Sequence, residues 1–241
     1  MTDLPAIRIG TAGWTVPSRV ADAFPAEGGG LERYSARFDC AEINSSFHRS
    51  HRGETWRRWA ESVPAHFRFS AKLSKGITHK SRLADCSDAL EAALAEMGQL
   101  GPKLAVLLVQ LPPSLAFEPK TARAFFEDLR GRWDRDVACE PRHSSWFEGE
   151  ADSLLERLRV ARVAADPAKV PAAAEPGGWR GLAYYRLHGS PAVYRSSYDD
   201  GRLEDYAARI AARPGPAWCI FDNTASAAAT ADALKLKSLL A

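Results

Sequence analysis

The sequence predicts a single α/β domain over residues 1–241, a (β/α)8 barrel of the TIM type. Eight short apolar runs alternate with amphipathic segments, which is the pattern of parallel strands joined by right-handed helical crossovers. Most of these runs end in polar or ionisable residues, and a parallel barrel gathers such ends at the face where its active sites lie. A length of 241 residues suits one barrel of this type.

The predicted elements follow one another as strand–helix units. Strands are expected near residues 7–14, 40–47, 67–73, 104–111, 136–142, 161–166, 182–189 and 217–223. Helices are expected near residues 30–38, 54–62, 85–100, 119–130, 151–158, 202–212 and 226–240. The fourth strand is almost continuously apolar, as a strand covered on both faces would be. In the sixth unit, Pro167, Pro171 and Pro176 indicate a loop, so the sixth helix is expected to be short or missing.

An open, doubly wound sheet is the main rival fold, and it would usually carry a glycine-rich phosphate loop after its first strand. The segment 10–14 contains two glycines but is followed by Pro17 and no immediate helix. The run Gly28-Gly29-Gly30 does not directly follow a strand. Neither segment matches GxGxxG or the Walker-type loop, so the closed barrel is favoured.

Composition limits the classes of partner. A net charge of +2 and a pI near 8.4 are too mild to predict sequence-independent nucleic-acid binding, which needs a clearly basic domain. The four cysteines form no CxxC pair, which argues against a zinc ribbon and favours buried free thiols in a reducing compartment. Since a strand begins near Ile7 and no apolar run is long enough to span a membrane, we expect a cytoplasmic protein without a signal peptide or membrane contact. The oligomeric state stays open.

Polar side chains recur at every second position near the strand ends, so they share the inner face of the expected barrel mouth. Four of them are candidate catalytic residues, with the carboxylates as acid and base: Glu42, Glu140, Lys72 and His188. Ten more are candidate substrate-binding residues: Trp14, Asn44, His79, Arg142, His143, Trp146, Arg186, Tyr194, Asp222 and Asn223. The ring of cations suits a phosphate or carboxylate group, and the aromatic residues suit a sugar or a base.

Two other interpretations of these residues stay open. The first is a structural ion-pair network inside the barrel, with Glu42 or Glu140 neutralising Arg142 or Arg186. The second is a metal site, because three histidines and four carboxylates follow the strands: His79, His143, His188, Glu42, Glu140, Asp166 and Asp222. No HxH or HExxH spacing supports a metal, so no cofactor is implied by a motif and a divalent cation is only an open alternative.

Six ordered motifs carry a resemblance to a known family, and they occupy residues 10–14, 42–47, 67–72 with Thr78-His79, 110–114, 140–146 and 186–189. Together they resemble the DUF72 family, also called YecE-like proteins, over nearly the whole chain. The resemblance implies a TIM-barrel fold and a family whose biochemical function is not established. The chain departs from common family residues at His48 (often Tyr), at Asp222 before Asn223 (often paired asparagines) and at Asp232-Ala233 (often Asn-Ala).

The leading hypothesis is therefore a barrel enzyme, a hydrolase, lyase or isomerase, that acts on a small anionic or sugar-like substrate by carboxylate acid–base chemistry. A nucleic-acid-processing barrel, with or without a metal, and a non-catalytic ligand-binding protein are the two alternatives. Replacing Glu140 by Gln separates the roles of that carboxylate. We expect little loss of stability if Glu140 serves chemistry and a loss of roughly 3–5 kcal/mol if it only neutralises a buried arginine. The sequence favours the first outcome for Glu140 and neither outcome for Glu42.

Overall fold

The computed structural model describes residues 7–241 as an α/β fold in which the main strands pair in parallel. The strands are β1 (Ile7–Thr11), β2 (Cys40–Ile43), β3 (Arg68–Lys72), β4 (Leu104–Gln110), β5 (Asp136–Glu140), β6 (Val160–Arg162), β7 (Ala164–Asp166), β8 (Gly177–Gly178), β9 (Ala183–Leu187) and β10 (Ala217–Phe221). They form two sheets, ordered β1-β10-β9-β7 and β2-β3-β4-β5-β6-β8.

The two sheets meet at two places, so eight strand positions follow one another around a ring in chain order, and the two-residue β8 pairs antiparallel with β6 beside this ring. Strands β6 and β7 are two halves of the sixth strand, because β6 pairs with β5 while β7 pairs with β9. Between them, the amide of Val163 donates to the carbonyl of Cys139 at 2.8 Å. At the other junction Ala12 bridges to Glu42, and the amide of Gly13 donates to the Glu42 carbonyl at 2.8 Å. The predicted barrel class is confirmed.

Helices connect the strands and cover the outside of the ring. They are α1 (Gly30–Ser35), α2 (Ser45–His48), α3 (Gly53–Glu61), α4 (Ser87–Met97), α5 (Pro119–Arg132), α6 (Gly149–Arg157), α7 (Asp200–Ala211) and α8 (Ala229–Leu239). In the sixth unit a 3-10 turn at Pro171–Ala174 stands in place of a helix, which confirms the short sixth helix. Among the helices of residues 7–241, none has the length and apolar character that crossing a membrane requires.

The second strand is shorter than its sequence pattern predicts. It ends at Ile43, and the expected strand residues 45–47 form the helical turn α2 instead. The hydroxyl of Ser46 lies 2.9 Å from the Ile43 carbonyl and 2.8 Å from the Lys72 carbonyl, so its one hydrogen is shared between two backbone acceptors at the strand ends. This turn places Asn44 and Phe47 at the rim of the barrel.

Two apolar clusters divide the core. The larger one packs the strands against the helices, and the smaller one fills the interior of the ring with Val106, Leu108, Ala138, Val163, Tyr184, Trp218, Ile220 and their neighbours. All four cysteines are buried free thiols, as the sequence predicted. The interior is therefore a packed core and not a channel, and the buried charged residues Glu42, Glu140 and Arg186 lie toward the carboxyl ends of their strands.

Candidate active site

Arg186, in β9, is the centre of a buried charge cluster that crosses the barrel interior. Its side chain is fully buried and contacts three carboxylates. One terminal nitrogen lies 2.6 Å from Oε1 of Glu42 and 2.9 Å from Oδ2 of Asp222. The other terminal nitrogen lies 2.6 Å from Oε2 of Glu140, and Nε donates to Glu42 at 3.1 Å. Because the carboxylates lie in or directly after three other strands, the guanidinium links opposite walls of the barrel.

His188 lies between two carboxylates of the same cluster. Its Nε2 is 3.0 Å from Oε1 of Glu140, and its Nδ1 is 3.1 Å from Oδ2 of Asp222. Both ring nitrogens can donate to carboxylates only in the imidazolium form. Burial alone would lower the pKa of His188, but the charge of Glu140 and the hydrogen bonds to both carboxylates raise it above the ordinary histidine value. The contacts and the raised pKa both favour the imidazolium form of His188 in this cluster.

The oxygens of Glu140 are fully engaged. Besides Arg186 and His188, the amide of Gln110 donates to Oε2 at 2.8 Å, and Arg142 approaches Oε1 at 3.4 Å. Burial would raise the pKa of Glu140, but Arg186 and His188 hold that pKa well below its usual range. The carboxylate is therefore ionised at neutral pH and acts as an acceptor for several donors at once.

Glu42 is equally engaged, one layer deeper in the barrel. The hydroxyl of Tyr184 donates to Oε2 of Glu42 at 2.9 Å and accepts from Ser70, 2.7 Å away. Burial and the neighbouring Glu42 carboxylate raise the pKa of Tyr184 well above its ordinary value, which keeps the phenol a donor. Glu42 and its partners are fully buried, so this layer supports the mouth from below and does not face solvent.

An open cleft lies above the cluster, at the carboxyl ends of the strands. Its volume is about 420 Å³, which suits a small-molecule ligand. Its lining combines cations, hydrogen-bonding groups and aromatic rings, contributed by Asn44, Phe47, His48, Lys72, Lys75, His79, Gln110, Arg142, Tyr194 and Asp222. The residues that line it come from separate units of the barrel, which is how barrel enzymes assemble their sites.

Lys72, the last residue of β3, aims a buried ammonium into this cleft. Its side chain packs with Nζ 4.2 Å from the centre of the Phe47 ring, and within residues 7–241 no carboxylate pairs with it. Burial, and next the positive charge of Arg186, lower the pKa of Lys72 to about 8, although the nearby carboxylates act in the opposite direction. A lysine with these properties is more reactive at neutral pH than an exposed lysine.

Replacement of Lys72 by Met is expected to stabilise the protein at neutral pH, because it removes a buried ammonium that lacks a partner. The pKa falls from 10.5 to about 8 on folding, so wild type carries the full penalty below pH 8 and loses it as pH rises toward 10.5. The gain should be on the order of 2–3 kcal/mol at pH 7 and should shrink above pH 8. Urea unfolding at several pH values measures it, with the exposed Lys75→Met as control. Equal changes in stability for the two substitutions at pH 7 would contradict the description of Lys72 as a buried, unpaired ammonium.

Arg142 and Tyr194 close one side of the cleft. A terminal nitrogen of Arg142 lies 3.4 Å from the Tyr194 hydroxyl, and beyond this pair lies a smaller cavity of about 160 Å³. The smaller cavity reaches Glu140 and His188 and has a largely apolar wall that includes Val193. The side chains of Arg142 and Tyr194 therefore separate two spaces that both touch the charge cluster.

Residues 8–241 match the sequence profile of the family described as "Protein of unknown function DUF72". The chain belongs to the DUF72 family. The protein is 31% identical over 155 residues to the UPF0759 protein YecE of Escherichia coli K12. That match covers 63% of this chain and 54% of the relative, so the chain spans about half the length of the curated relative that it matches.

Solved DUF72 structures share the architecture of this chain. A DUF72 family protein of Enterococcus faecalis V583 superposes with a TM-score of 0.80 at 19% identity, covering 98% of this chain and 95% of its own. A DUF72 family protein of Thermotoga maritima superposes with a TM-score of 0.77 at 22% identity, covering 97% of this chain and 98% of its own. At these identities the likeness establishes the fold and leaves the activity undefined.

The DUF72 fold brings ten of the fourteen sequence-predicted site residues to the cluster or the cleft. Four others lie elsewhere: Trp14, His143, Trp146 and Asn223. Trp14 packs against Trp59 with ring centres 5.2 Å apart, and Trp146 is buried and donates to the Leu115 carbonyl at 2.9 Å. These tryptophans pack the loops above the strands, as aromatic residues commonly do, and they do not line the cleft.

The remaining two residues shape loops. His143 caps the 3-10 turn Ser144–Phe147, since its Nδ1 accepts from the Ser145 amide at 3.3 Å. Asn223 is buried and donates to Asp232 at 2.6 Å and to the Ser196 carbonyl at 2.9 Å, which anchors the loop that carries Tyr194. Its contribution to the cleft is therefore indirect.

Four residues at the cleft were missed among the predicted site residues: Phe47, His48, Lys75 and Gln110. Gln110 ends β4 and could have been found by the strand-end rule alone. Lys75 and His48 lie in short turns after β3 and β2, where no periodic pattern shows which way a side chain points. Over residues 7–241 no group of three His, Cys, Asp or Glu residues is arranged to hold a metal ion. Among the carboxylates of the cluster, the position between them is occupied by the Arg186 guanidinium.

Proposed function

We propose that this DUF72 protein is an enzyme that transfers a proton on a small anionic, sugar-like substrate held in the 420 Å³ cleft. The observation that carries the proposal is Lys72, a buried ammonium with a pKa of about 8 that faces the cleft. A catalytic acid or base works best when its pKa lies near the working pH. Proton transfer is the step that lyases, isomerases and hydrolases share, and Lys72 is its centre here.

The cleft offers groups for both parts of such a substrate. Arg142, Lys75 and Lys72 supply positive charge for a phosphate or carboxylate, and the arginine fork suits an oxyanion. Burial, and then the charges of Lys72 and Arg142, lower the pKa of His79, so this ring is neutral at pH 7 and can hydrogen-bond an uncharged group. Asn44 lines the same cleft, and its amide nitrogen lies 3.4 Å from Oδ1 of Asp222.

The carboxylate that meets the substrate is Asp222 in this proposal. Burial would raise the pKa of Asp222, but the charge of Arg186 lowers it, so the carboxylate stays ionised and accepts a hydrogen bond or a proton instead of acting as an acid. Its Oδ2 is held by Arg186 and His188, but its Oδ1 has only a long contact of 3.4 Å with the Asn44 amide, and the residue lines the cleft. Glu42 and Glu140 have both oxygens engaged, so they serve to hold Arg186 and His188 in place. The division of roles follows the rule that environment separates two carboxylates into different tasks.

Inorganic phosphate is the probe for the anion site. We expect phosphate to raise the melting temperature of wild type in a saturable way, because a ligand that binds only the native state stabilises it. Arg142→Met and Lys72→Met should each lose most of the saturable shift, whereas Lys120→Met, on the exposed surface of α5, should keep it. Differential scanning fluorimetry measures the shift. If phosphate raised the melting temperature equally in all four proteins, the effect would be general salt stabilisation, and the proposal of an anion site in the cleft would be wrong.

Turnover is tested with a cell metabolite extract, because the substrate is defined by class and not by name. Wild type and Lys72→Met are each incubated with the extract, and mass spectrometry follows the anionic metabolites. We expect at least one metabolite to change in the wild-type reaction and to stay unchanged with the variant. If phosphate binds at the cleft but wild type changes no metabolite, the protein is a ligand-binding protein and the enzymatic proposal is wrong.

A further inference from the structure

A second basic space opens beside the cleft, between α2 and α4. Its volume is about 380 Å³. Three exposed cations surround it: Arg49, Lys75 and Lys80. Within residues 7–241 none of these cations is paired with a carboxylate. Glu96 is the one acidic residue of the lining, and it already accepts from the Ser50 hydroxyl and from the His51 amide. The net charge of this groove is therefore positive.

The groove exists because one face of α4 carries small residues. Ala89, Ala92 and Ala93 follow the spacing that places residues on one side of a helix, and Met97 continues the same face. Larger side chains at these positions would fill the space. The floor of the groove is thus apolar, while its rim is basic.

The groove and the cleft adjoin each other. Phe47, His48 and Lys75 line both spaces, and the Phe47 ring stands between them, with Lys72 on one of its faces. A ligand can therefore extend from Lys72 and Arg142, past an aromatic ring, to Arg49 and Lys80 without leaving the protein surface. Its middle would lie on apolar and aromatic groups, and both of its ends would meet cations.

We infer that the ligand of this protein is an elongated small molecule with an anionic group at each end. One end occupies the cleft and the other occupies the groove between α2 and α4. The inference rests on the proposed function, since the first anionic group is the substrate anion placed beside Lys72. Two oxyanions joined by a spacer would each be held by cations, and linking two binding groups increases affinity when the spacer matches the gap.

Hexanediol bisphosphate and hexyl phosphate are the probes, because they differ only in the second phosphate. Isothermal titration calorimetry should show the bisphosphate binding wild type on the order of tenfold tighter than the monophosphate. Lys80→Met and Ala92→Leu should remove this advantage, the first by deleting charge and the second by filling the groove. Both variants should keep wild-type binding of inorganic phosphate in the cleft, and Lys120→Met should behave as wild type.

Equal affinities of wild type for the two hexyl compounds would overturn the inference. Failure of the proposed function has a different signature, namely inorganic phosphate binding that is insensitive to Arg142→Met. A single-stranded oligonucleotide that displaces the bisphosphate at far lower concentration, and does so less well with Lys80→Met, would show that the groove follows a nucleic-acid backbone. That outcome would also overturn the small-ligand inference.

Discussion

Arg186→Met is expected to destabilise the protein by about 3–5 kcal/mol or more, because it leaves three buried carboxylates around an apolar side chain. In wild type the guanidinium is bonded to Glu42, Glu140 and Asp222. Without it, mutual repulsion and burial raise the carboxylate pKa values, so the folded variant binds more protons than the unfolded chain. Its stability should therefore fall as pH rises, which urea unfolding between pH 5 and about pH 8 would show.

Arg202→Met is the matched control for this substitution. Arg202 pairs with Asp166 at 2.8 Å, but its side chain is about one-third exposed, and loss of such a pair should cost less than about 1 kcal/mol. If Arg186→Met does not fold, Arg186→Lys tests the same point, since one ammonium cannot replace the several directed donors of the guanidinium. A cost for Arg186→Met no larger than that for Arg202→Met would contradict the central role of Arg186.

Glu140→Gln is expected to destabilise the protein by about 3–5 kcal/mol, the value for breaking a buried ion pair. Its oxygens accept from Gln110, Arg142, Arg186 and His188, and a glutamine must turn an amide donor toward some of these donors. The least costly solution is a neutral His188 that accepts through Nε2. We therefore also expect the pKa of His188, followed by NMR, to fall in the variant.

The pH dependence gives a second check on Glu140. Its pKa is held well below 4.5 in the folded protein, so its contribution is present above that value and is lost as pH falls through the folded pKa. The difference in stability between wild type and Glu140→Gln should accordingly shrink on acidification. Glu118→Gln, at the exposed start of α5, is the control and should leave the His188 pKa unchanged. A small loss for Glu140→Gln would favour a chemical role for this carboxylate, as the sequence had favoured.

The strand-end pattern predicted more of the site than any single motif did. Glu42, Lys72, Glu140, Arg186 and His188 were placed at one mouth because parallel strands direct their carboxyl ends to one face and side chains alternate along a strand. Both regularities are properties of a single strand, so they hold regardless of which strands lie on either side of it. Local sequence also predicted the short sixth helix, because prolines and glycines in that unit prevent a regular helix.

The sequence predicted secondary structure and site residues less well in the segments that follow the strands. Residues 45–47 were predicted as the end of the second strand but belong to a helical turn, in which the Ser46 hydroxyl contacts two strand-end carbonyls, one of them from β3. Trp14 and Trp146 lie near strand ends and yet pack into the core, because loop direction decides where an aromatic ring goes. The positions of Lys75 and of the basic groove beside α4 likewise depend on the segments that follow β2 and β3.

The sequence by itself determined the barrel, the face that carries the site and most of the polar residues gathered there, because strand period and strand order are properties of the chain. Only the tertiary structure decided which charged side chains pair with one another and which stay unpaired. Closure of the ring brings Arg186 against carboxylates from across the barrel and leaves Lys72 without one, and partners across a ring are not related by any sequence spacing. The roles that we propose for Glu42, Glu140, Asp222 and Lys72 follow from which partners reach each side chain, so these proposals rest on the fold and not on the residue types alone.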